Sequence, residues 1–249
     1  KYLKEWFNYN SLSLNIEKSC YILFKRINNK PDIPCKIEIA GQEIKQVSCT
    51  KFLGVYIDEN LNWNEHVKHL SMKLNSGIYS LNMAKNVLSV RSKRLLYFAN
   101  IQSHLTYSLC VWGPMTSTSN IKRLQVQQNK AIRALFLINR RTRLKPYFKL
   151  AKILTVEDLI SLSLMKISFK YTNDTLPKRI VNLFEQNVHG YNTRNRDCPR
   201  VAQHTIQIYN KSFLGRAPNL WLQLPNIVKN KKKVKLFSKQ VVILKLESY

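Results

Sequence analysis

The apolar residues of this chain change their spacing once, close to Asn62, and that change divides what it can fold into. Upstream the pattern is that of strands. Lys18 to Arg26 (KSCYILFKR) is an apolar run rich in β-formers. Cys35 to Val47 (CKIEIAGQEIKQV) alternates around Gly41-Gln42, which predicts a hairpin with a short glycine turn. Lys51 to Asp58 (KFLGVYID) predicts one more strand, with Gly54 inside it marking a bulge or a close backbone approach. Ahead of these, Leu3, Trp6 and Phe7 fit the end of an amphipathic helix.

Downstream the period becomes helical. Val67, Leu70, Leu74, Ile78 and Leu81 fit one helix, and Leu95, Phe98, Ile101, Leu105 and Leu109 a second. Ile121, Leu124, Gln128, Ala131, Ile132 and Leu135 fit a third, with Asn120 as its N-cap. Thr155 and Asp158 make a capping box for a fourth, and Pro177 suits the first turn of a fifth. The fold class is therefore α+β. A small antiparallel β region over 1–62 leads into a mostly α-helical region over 63–188. A less regular, basic C-terminal region follows over 189–249.

The charge balance says what such a body meets. Lys and Arg number 41 against 14 Asp and Glu, a net charge of +27. His66 to Val156 contains no acid at all, and neither does Cys198 to Leu246. A surface built only for solubility mixes the two signs, so a polyanion is implied, nucleic acid ahead of an anionic membrane. The cations fall largely off the apolar stripes of their helices: Lys68, Lys73, Lys85, Arg91, Lys93, Arg94, Lys122, Arg123, Lys130 and Arg133. Arg140, Arg141, Arg143 and Lys145 follow in a basic connector that ends at Pro146. Trp63, Tyr79, Tyr97 and Tyr107 are interleaved, a mix suited to phosphate neutralisation with base stacking. Lys229 to Lys235 (KNKKKVK) reads as a nuclear-import patch, a phosphate-binding tail or an inert run.

Five scattered cysteines without a CxxC fit a reducing, intracellular compartment, nucleus or cytoplasm, with buried free thiols. No apolar run reaches the ~18 residues of a membrane span, so no membrane partner is expected. The chain opens on Lys1 in mid-pattern, as a piece of something longer does.

Catalytic motifs are sparse. No GxSxG, P-loop or GxGxxG occurs, and six glycines leave little for a phosphate-cradling loop. Tyr56-Ile57-Asp58-Glu59 has the look of a polymerase carboxylate box, but two-metal chemistry needs a second converging carboxylate. Glu5, Glu17, Asp32, Glu38 and Glu43 precede it and none sits at a clear strand end. A strand end leading into a helix is the simpler reading. His66 and His69 share a helix face without a third ligand in view, so no metal site is expected.

Five phrases, in order, resemble the reverse transcriptases of non-LTR (LINE-type, jockey- or RTE-like) retrotransposons. They are WFNYNSLSLNIEKSCYILF, KFLGVYIDENLNWNEHV, LLYFANIQSHLTYSLCVWG, HGYNTRN and LWLQLPNIVK. The resemblance implies the back part of an RNA-directed DNA polymerase: the palm end over 1–62, the thumb, and the region behind it. The catalytic Tyr-x-Asp-Asp box would lie upstream of Lys1. The chain itself would then bind no cofactor, and Mg²⁺ is expected only in the intact polymerase. Phe52, Leu53 and Gly54 would correspond to the primer grip, and Lys18 to a lysine near the triphosphate able to act as general acid. Implied partners are RNA template, RNA/DNA hybrid or DNA, and the missing N-terminal fingers and palm of the same polyprotein. Rival readings are a non-catalytic nucleic-acid-binding relic or domesticated module, and a basic scaffold for acidic proteins or lipid surfaces.

Overall fold

The computed structural model describes residues 2–24, 36–39, 41–184, 200, 205 and 207–249. It divides into two compact units, 1–66 and 67–249.

The first unit begins with helix α1 (Tyr2–Tyr9) and carries short strands in three separate pairs. The apolar run at Lys18 is extended with a partner only over β1 (Cys20–Tyr21), and Lys25 and Arg26 lie outside the described residues. β2 (Glu38–Ile39) and β3 (Gln42–Glu43) form the expected hairpin, with Gly41 at φ +77° in its turn. Ile39 pairs with Gln42, so the turn lies one residue earlier than Gly41-Gln42. β4 (Lys45–Gln46) runs parallel to β1, which departs from a wholly antiparallel region.

Residues 51–58 do not form one strand. β5 (Cys49–Phe52) and β6 (Val55–Asp58) are antiparallel partners, Phe52 opposite Val55, and Leu53-Gly54 is the turn between them. Both turn residues have positive φ, +46° and +84°, the backbone of a two-residue hairpin. Gly54 therefore supplies a left-handed turn residue instead of a bulge. An unbroken apolar sequence hides this turn, because Leu53 occupies a position that usually goes to Asn or Asp.

The second unit is helical. α2 (Asn64–Met83) starts at the end of the first unit and buries Val67, Leu70, Leu74, Ile78 and Leu81, the stripe expected from the sequence. The second expected helix is broken into pieces. α3 (Val90–Tyr97) passes into a π-helical turn over Phe98–Gln102 and then α4 (Ser103–Thr106). Ser108, at φ +48°, interrupts the chain before α5 (Leu109–Trp112) and a 3₁₀ turn over Gly113–Met115. The wide turn shifts the helical phase. Leu95, assigned to the apolar stripe, is 65% exposed, while Tyr97 is fully buried.

α6 (Thr118–Phe136) buries Leu124, Gln128, Ala131, Ile132 and Leu135 as expected. Its N-cap is Ser117, whose hydroxyl accepts from the Asn120 amide, so Asn120 is capped and does not cap. α7 (Lys145–Ala151) follows, and then α8 (Val156–Thr172) with only half of its expected capping box: the Thr155 hydroxyl accepts from the Asp158 amide, but the Thr155 amide donates to the Tyr249 hydroxyl and not to Asp158. Pro177 is the N-cap of the single-turn α9 (Lys178–Val181), just outside its first turn.

Over 207–249 the C-terminal region is more regular than its composition suggests. α10 (Gln207–Lys211), α11 (Phe213–Leu222), α12 (Asn226–Lys229) and α13 (Val234–Glu247) pack onto the helical body. Phe169 of α8 stacks on Phe237 of α13 at 4.6 Å, and Trp221 of α11 closes the cluster at 5.7 Å from Phe237. Burying such rings supplies the apolar area that a basic sequence would not otherwise gather. The phrase HGYNTRN, Asp32, Cys35, Cys198, His189 and His204 lie outside the described residues. No helix among the described residues is long and apolar enough to cross a membrane.

Candidate nucleic-acid interface

The Tyr56–Glu59 stretch ends in a corner organised by Asp58. Its Oδ1 accepts from the amides of Asn60 and Asn62, both at 3.1 Å, and its Oδ2 accepts from the amide of Trp63 at 2.9 Å. Leu61 and Trp63 take left-handed φ values, +53° and +65°, which these bonds hold in place. Trp63 and His66 are buried, and His66 Nδ1 accepts from the Tyr56 amide at 3.4 Å. The Asp, Trp and His of this phrase thus turn the chain from β6 into α2. Beside them Cys49 has its thiol pKa raised, by burial first and then by Asp58 and Glu65. Among the described residues no three His, Cys, Asp or Glu side chains gather as a metal site would require.

The phrase LLYFANIQSHLTYSLCVWG also supplies core rings. Trp112 is fully buried and its Nε1 donates to the Tyr107 carbonyl at 3.0 Å. Tyr97 accepts at 2.8 Å from Gln128 Nε2, which also donates to the Leu154 carbonyl at 2.8 Å. Burial pushes the Tyr97 phenol up, with Gln128 opposing. Of the four rings assigned to base stacking, Trp63 and Tyr97 are buried, while Tyr79 and Tyr107 are exposed.

The cations sort in the same way. Lys93 is only 2% exposed and its Nζ donates to the Lys85 carbonyl at 3.1 Å, so it is packing and not surface. Arg94 donates from Nε to the Ala151 carbonyl at 2.6 Å and lies 4.7 Å over the Phe98 ring, tying α3 to the end of α7. The burial of Lys93 removes it from the expected phosphate contacts, and its partner, a backbone carbonyl, carries no sequence signature. Lys68, Lys73, Lys85, Arg91, Lys122, Arg123, Lys130, Arg140, Arg141, Arg143 and Lys145 are exposed. His104 has its pKa lowered by burial and then by Lys73.

Three of these exposed positions meet the half-buried Arg133 in one place. A groove of about 860 Å³ between the C-terminal halves of α2 and α6 is lined by Lys85, Lys130, Arg133 and Arg140, with the amides Asn82 and Asn129. Leu137, at φ +58°, ends α6 and folds the chain back. Arg133 fixes that return, its carbonyl accepting from Ile138 and its Nη2 donating to the Arg140 carbonyl at 3.0 Å. The groove holds no acid. Sequence reasoning listed its cations but missed Asn82 and Asn129, whose helical spacing from Lys85 and Arg133 was the available signal.

The exposed tip of the β5–β6 hairpin lies in the first unit. Leu53 is 75% exposed and Phe52 is also exposed. Lys18 is exposed in the loop before β1, its own amide donating to Asn15 Oδ1 at 3.0 Å. The run Lys229–Lys235 spans the last residue of α12, the connector over 230–233 and the first two residues of α13, and Lys229 Nζ donates to the Leu222 carbonyl at 3.2 Å. Cys20 is exposed, contrary to the expectation of buried thiols, and Cys49 and Cys110 are half-buried.

Comparison with known proteins gives three consistent relatives. The chain is 28% identical over 136 residues to a probable RNA-directed DNA polymerase from transposon BS of Drosophila melanogaster. It is 28% identical over 137 residues to one from transposon X-element of the same species. It is 26% identical over 135 residues to the RNA-directed DNA polymerase from mobile element jockey of Drosophila funebris. Each match covers 53% of this chain but only 15%, 14% and 14% of the relatives, so the chain spans a small part of the proteins it matches. No family model and no solved structure matches. Over about half its length the chain is related to the polymerases of non-LTR retrotransposons, as its phrases suggest.

Proposed function

We propose that this chain, related over half its length to RNA-directed DNA polymerases of non-LTR retrotransposons, is the part of such an enzyme that holds the template and its hybrid. The observation that carries the reading is the acid-free groove of Lys85, Lys130, Arg133 and Arg140. Fixed cations at a groove neutralise successive phosphates and release counterions, giving tight but sequence-indifferent binding. In a polymerase such contacts act by positioning: they keep the primer hydroxyl and the incoming triphosphate in line. On this reading 1–62 is the end of the palm and 63–188 the thumb. The β5–β6 tip at Phe52, Leu53 and Gly54 faces the primer end, and Lys18 is the lysine near the triphosphate.

The two-metal centre of a polymerase does not fit the described residues. Asp58, the acid of its most box-like stretch, has both oxygens engaged by backbone amides. No chemical step is therefore assigned to this chain. Its partners are RNA template and RNA/DNA hybrid, together with the rest of the polymerase.

The test is titration of the chain with a fluorescein-labelled RNA/DNA hybrid over a range of salt. Binding should weaken steeply with salt, and Lys130→Ala and Arg140→Ala should each lower the logarithmic slope by about one. Weak binding, equal at low and high salt, would overturn the reading.

A further inference from the structure

A second groove in the helical unit has another chemistry. It lies where α13 packs against α7 and α8 and has a volume of about 460 Å³, the size of a built ligand pocket. Its floor is aliphatic: Leu162 of α8 with Val242, Ile243 and Leu246 of α13. Lys149, Lys152, Lys166 and Lys239 ring that floor, and Glu247 is the one acid in the lining. Lys166 is half-buried and has no hydrogen bond or ion pair with any described residue. Burial, and then Lys170, lower its pKa. A half-buried ammonium without a counter-charge is unfavourable unless something else brings the anion.

An aliphatic floor within a cationic ring asks for an amphipathic anion. Lys239, Val242, Ile243 and Leu246 recur at i, i+3, i+4 and i+7, so one face of α13 carries both the charge and the apolar seats. Nucleic acid does not match this lining. There is no aromatic ring on which a base could stack, and a phosphate chain gains nothing from buried aliphatic carbon. The groove is also concave, whereas a membrane surface is met by protruding apolar side chains.

From this charge complementarity the geometry points to the α7–α8–α13 groove as a docking site for an acidic amphipathic segment of a partner protein. Its aliphatic side chains seat on Ile243 and Leu246, and its carboxylates reach Lys166 and Lys239. The assignment stands apart from the nucleic-acid reading, because none of these four lysines lines the first groove.

The experiment is fluorescence anisotropy of the full chain with a labelled peptide bearing leucines along one helical face and glutamates along the other. Saturable binding is expected. Lys239→Glu, at an exposed position, and Lys166→Glu should each weaken it by about tenfold. Ile243→Ser should weaken it too, and Lys130→Glu in the first groove should not. If Lys166→Glu lowers the thermal midpoint, Lys239→Glu carries the test. A peptide with serine in place of leucine that binds as tightly would overturn the proposal. So would an oligonucleotide, or anionic phosphatidylserine vesicles, whose binding depends on Lys239 and Ile243 while the peptide's does not.

Discussion

The Nζ of Lys93 donates to the main-chain carbonyl of Lys85 at 3.1 Å, so a buried cation holds the backbone of an exposed one at the rim of the first groove. Arg133 holds Arg140 in the same way, through its Nη2 and the Arg140 carbonyl. The site thus has two kinds of basic residue, those that face a ligand and those that place them. Lys93→Met keeps most of the packing and removes the bond. It should lower unfolding stability by about 1–2 kcal/mol and weaken hybrid binding without changing its salt slope. Lys130→Ala should do the reverse, leaving stability within about 0.5 kcal/mol and lowering the slope. Urea unfolding paired with salt-dependent titration separates the two. A reduced slope for Lys93→Met would place its ammonium on a phosphate and refute the division.

Asp58 supplies a second prediction, in which a box-like acid proves structural. Three amides converge on its carboxylate, two of them flanking the left-handed Leu61. Asp58→Ala leaves those donors without their acceptor and should cost about 2–3 kcal/mol, near the upper end for a charge-assisted hydrogen bond. Asp58→Asn should recover only part of this, since its NH₂ group must face a donor. Glu43→Ala, at an exposed position on β3, should cost far less. Chemical denaturation followed by circular dichroism reads all three. Equal stability for Asp58→Ala and Glu43→Ala would show that the corner does not depend on this carboxylate.

Gly77 of α2 is in close contact with the π-helical turn. A Cβ there would meet the Asn100 carbonyl oxygen at 2.8 Å and Ile101 Cγ1 at 2.9 Å. Alanine normally gains about 1 kcal/mol over glycine inside a helix. Here the obstacle is a main-chain oxygen, which cannot rotate aside, and overpacking of this kind costs about 1–3 kcal/mol. Gly77→Ala should therefore lower the thermal midpoint, whereas Ser76→Ala, exposed on the same helix, should leave it unchanged or raise it. A stabilised Gly77→Ala would mean that α2 and the turn stand further apart.

These residues also show which parts of the architecture could be read before any coordinates. The stripe Val67, Leu70, Leu74, Ile78 and Leu81 was legible because a straight α-helix repeats its own geometry in the sequence. The N-cap at Thr155 was legible because its partner Asp158 is local, whereas the Tyr249 hydroxyl that takes the Thr155 amide is 94 residues away. Leu53-Gly54 was not, since a left-handed turn built on leucine hides inside an apolar run. The π-turn at Phe98–Gln102 was not, because its signature is a slip of phase that any apolar stripe absorbs, here by exchanging Leu95 for Tyr97. The site behaved alike. Its cations were visible one by one, but the sequence does not say that Lys85 and Arg140 share a groove while Lys93 and Arg94 donate to main-chain carbonyls. That sorting depends on which carbonyls the tertiary fold brings within reach.

The closing contact of α13 gives a prediction that depends on pH. Tyr249 donates its hydroxyl to Asp158 Oδ2 and accepts at 2.9 Å from the Thr155 amide, and Lys245 pairs with Asp158 Oδ1 at 3.1 Å. The phenol pKa is pushed up from 10.0 to about 12, by burial first and then by the hydrogen bond to Asp158. A raised pKa in the folded chain means that the neutral phenol is the form folding favours. Its contribution is complete below pH 10 and is lost as pH rises from about 10 to about 12. Tyr249→Phe removes these hydrogen bonds together with the one to Thr155 Oγ1 at 3.3 Å, and should cost about 1–2 kcal/mol at neutral pH. The lysines also titrate in this range, so the informative quantity is the difference between wild type and Tyr249→Phe. That difference, measured by urea unfolding, should shrink between pH 10 and pH 12. A difference independent of pH would mean that the phenol ionises as freely in the folded chain as in the unfolded one, and that the clasp at Asp158 does not hold its proton.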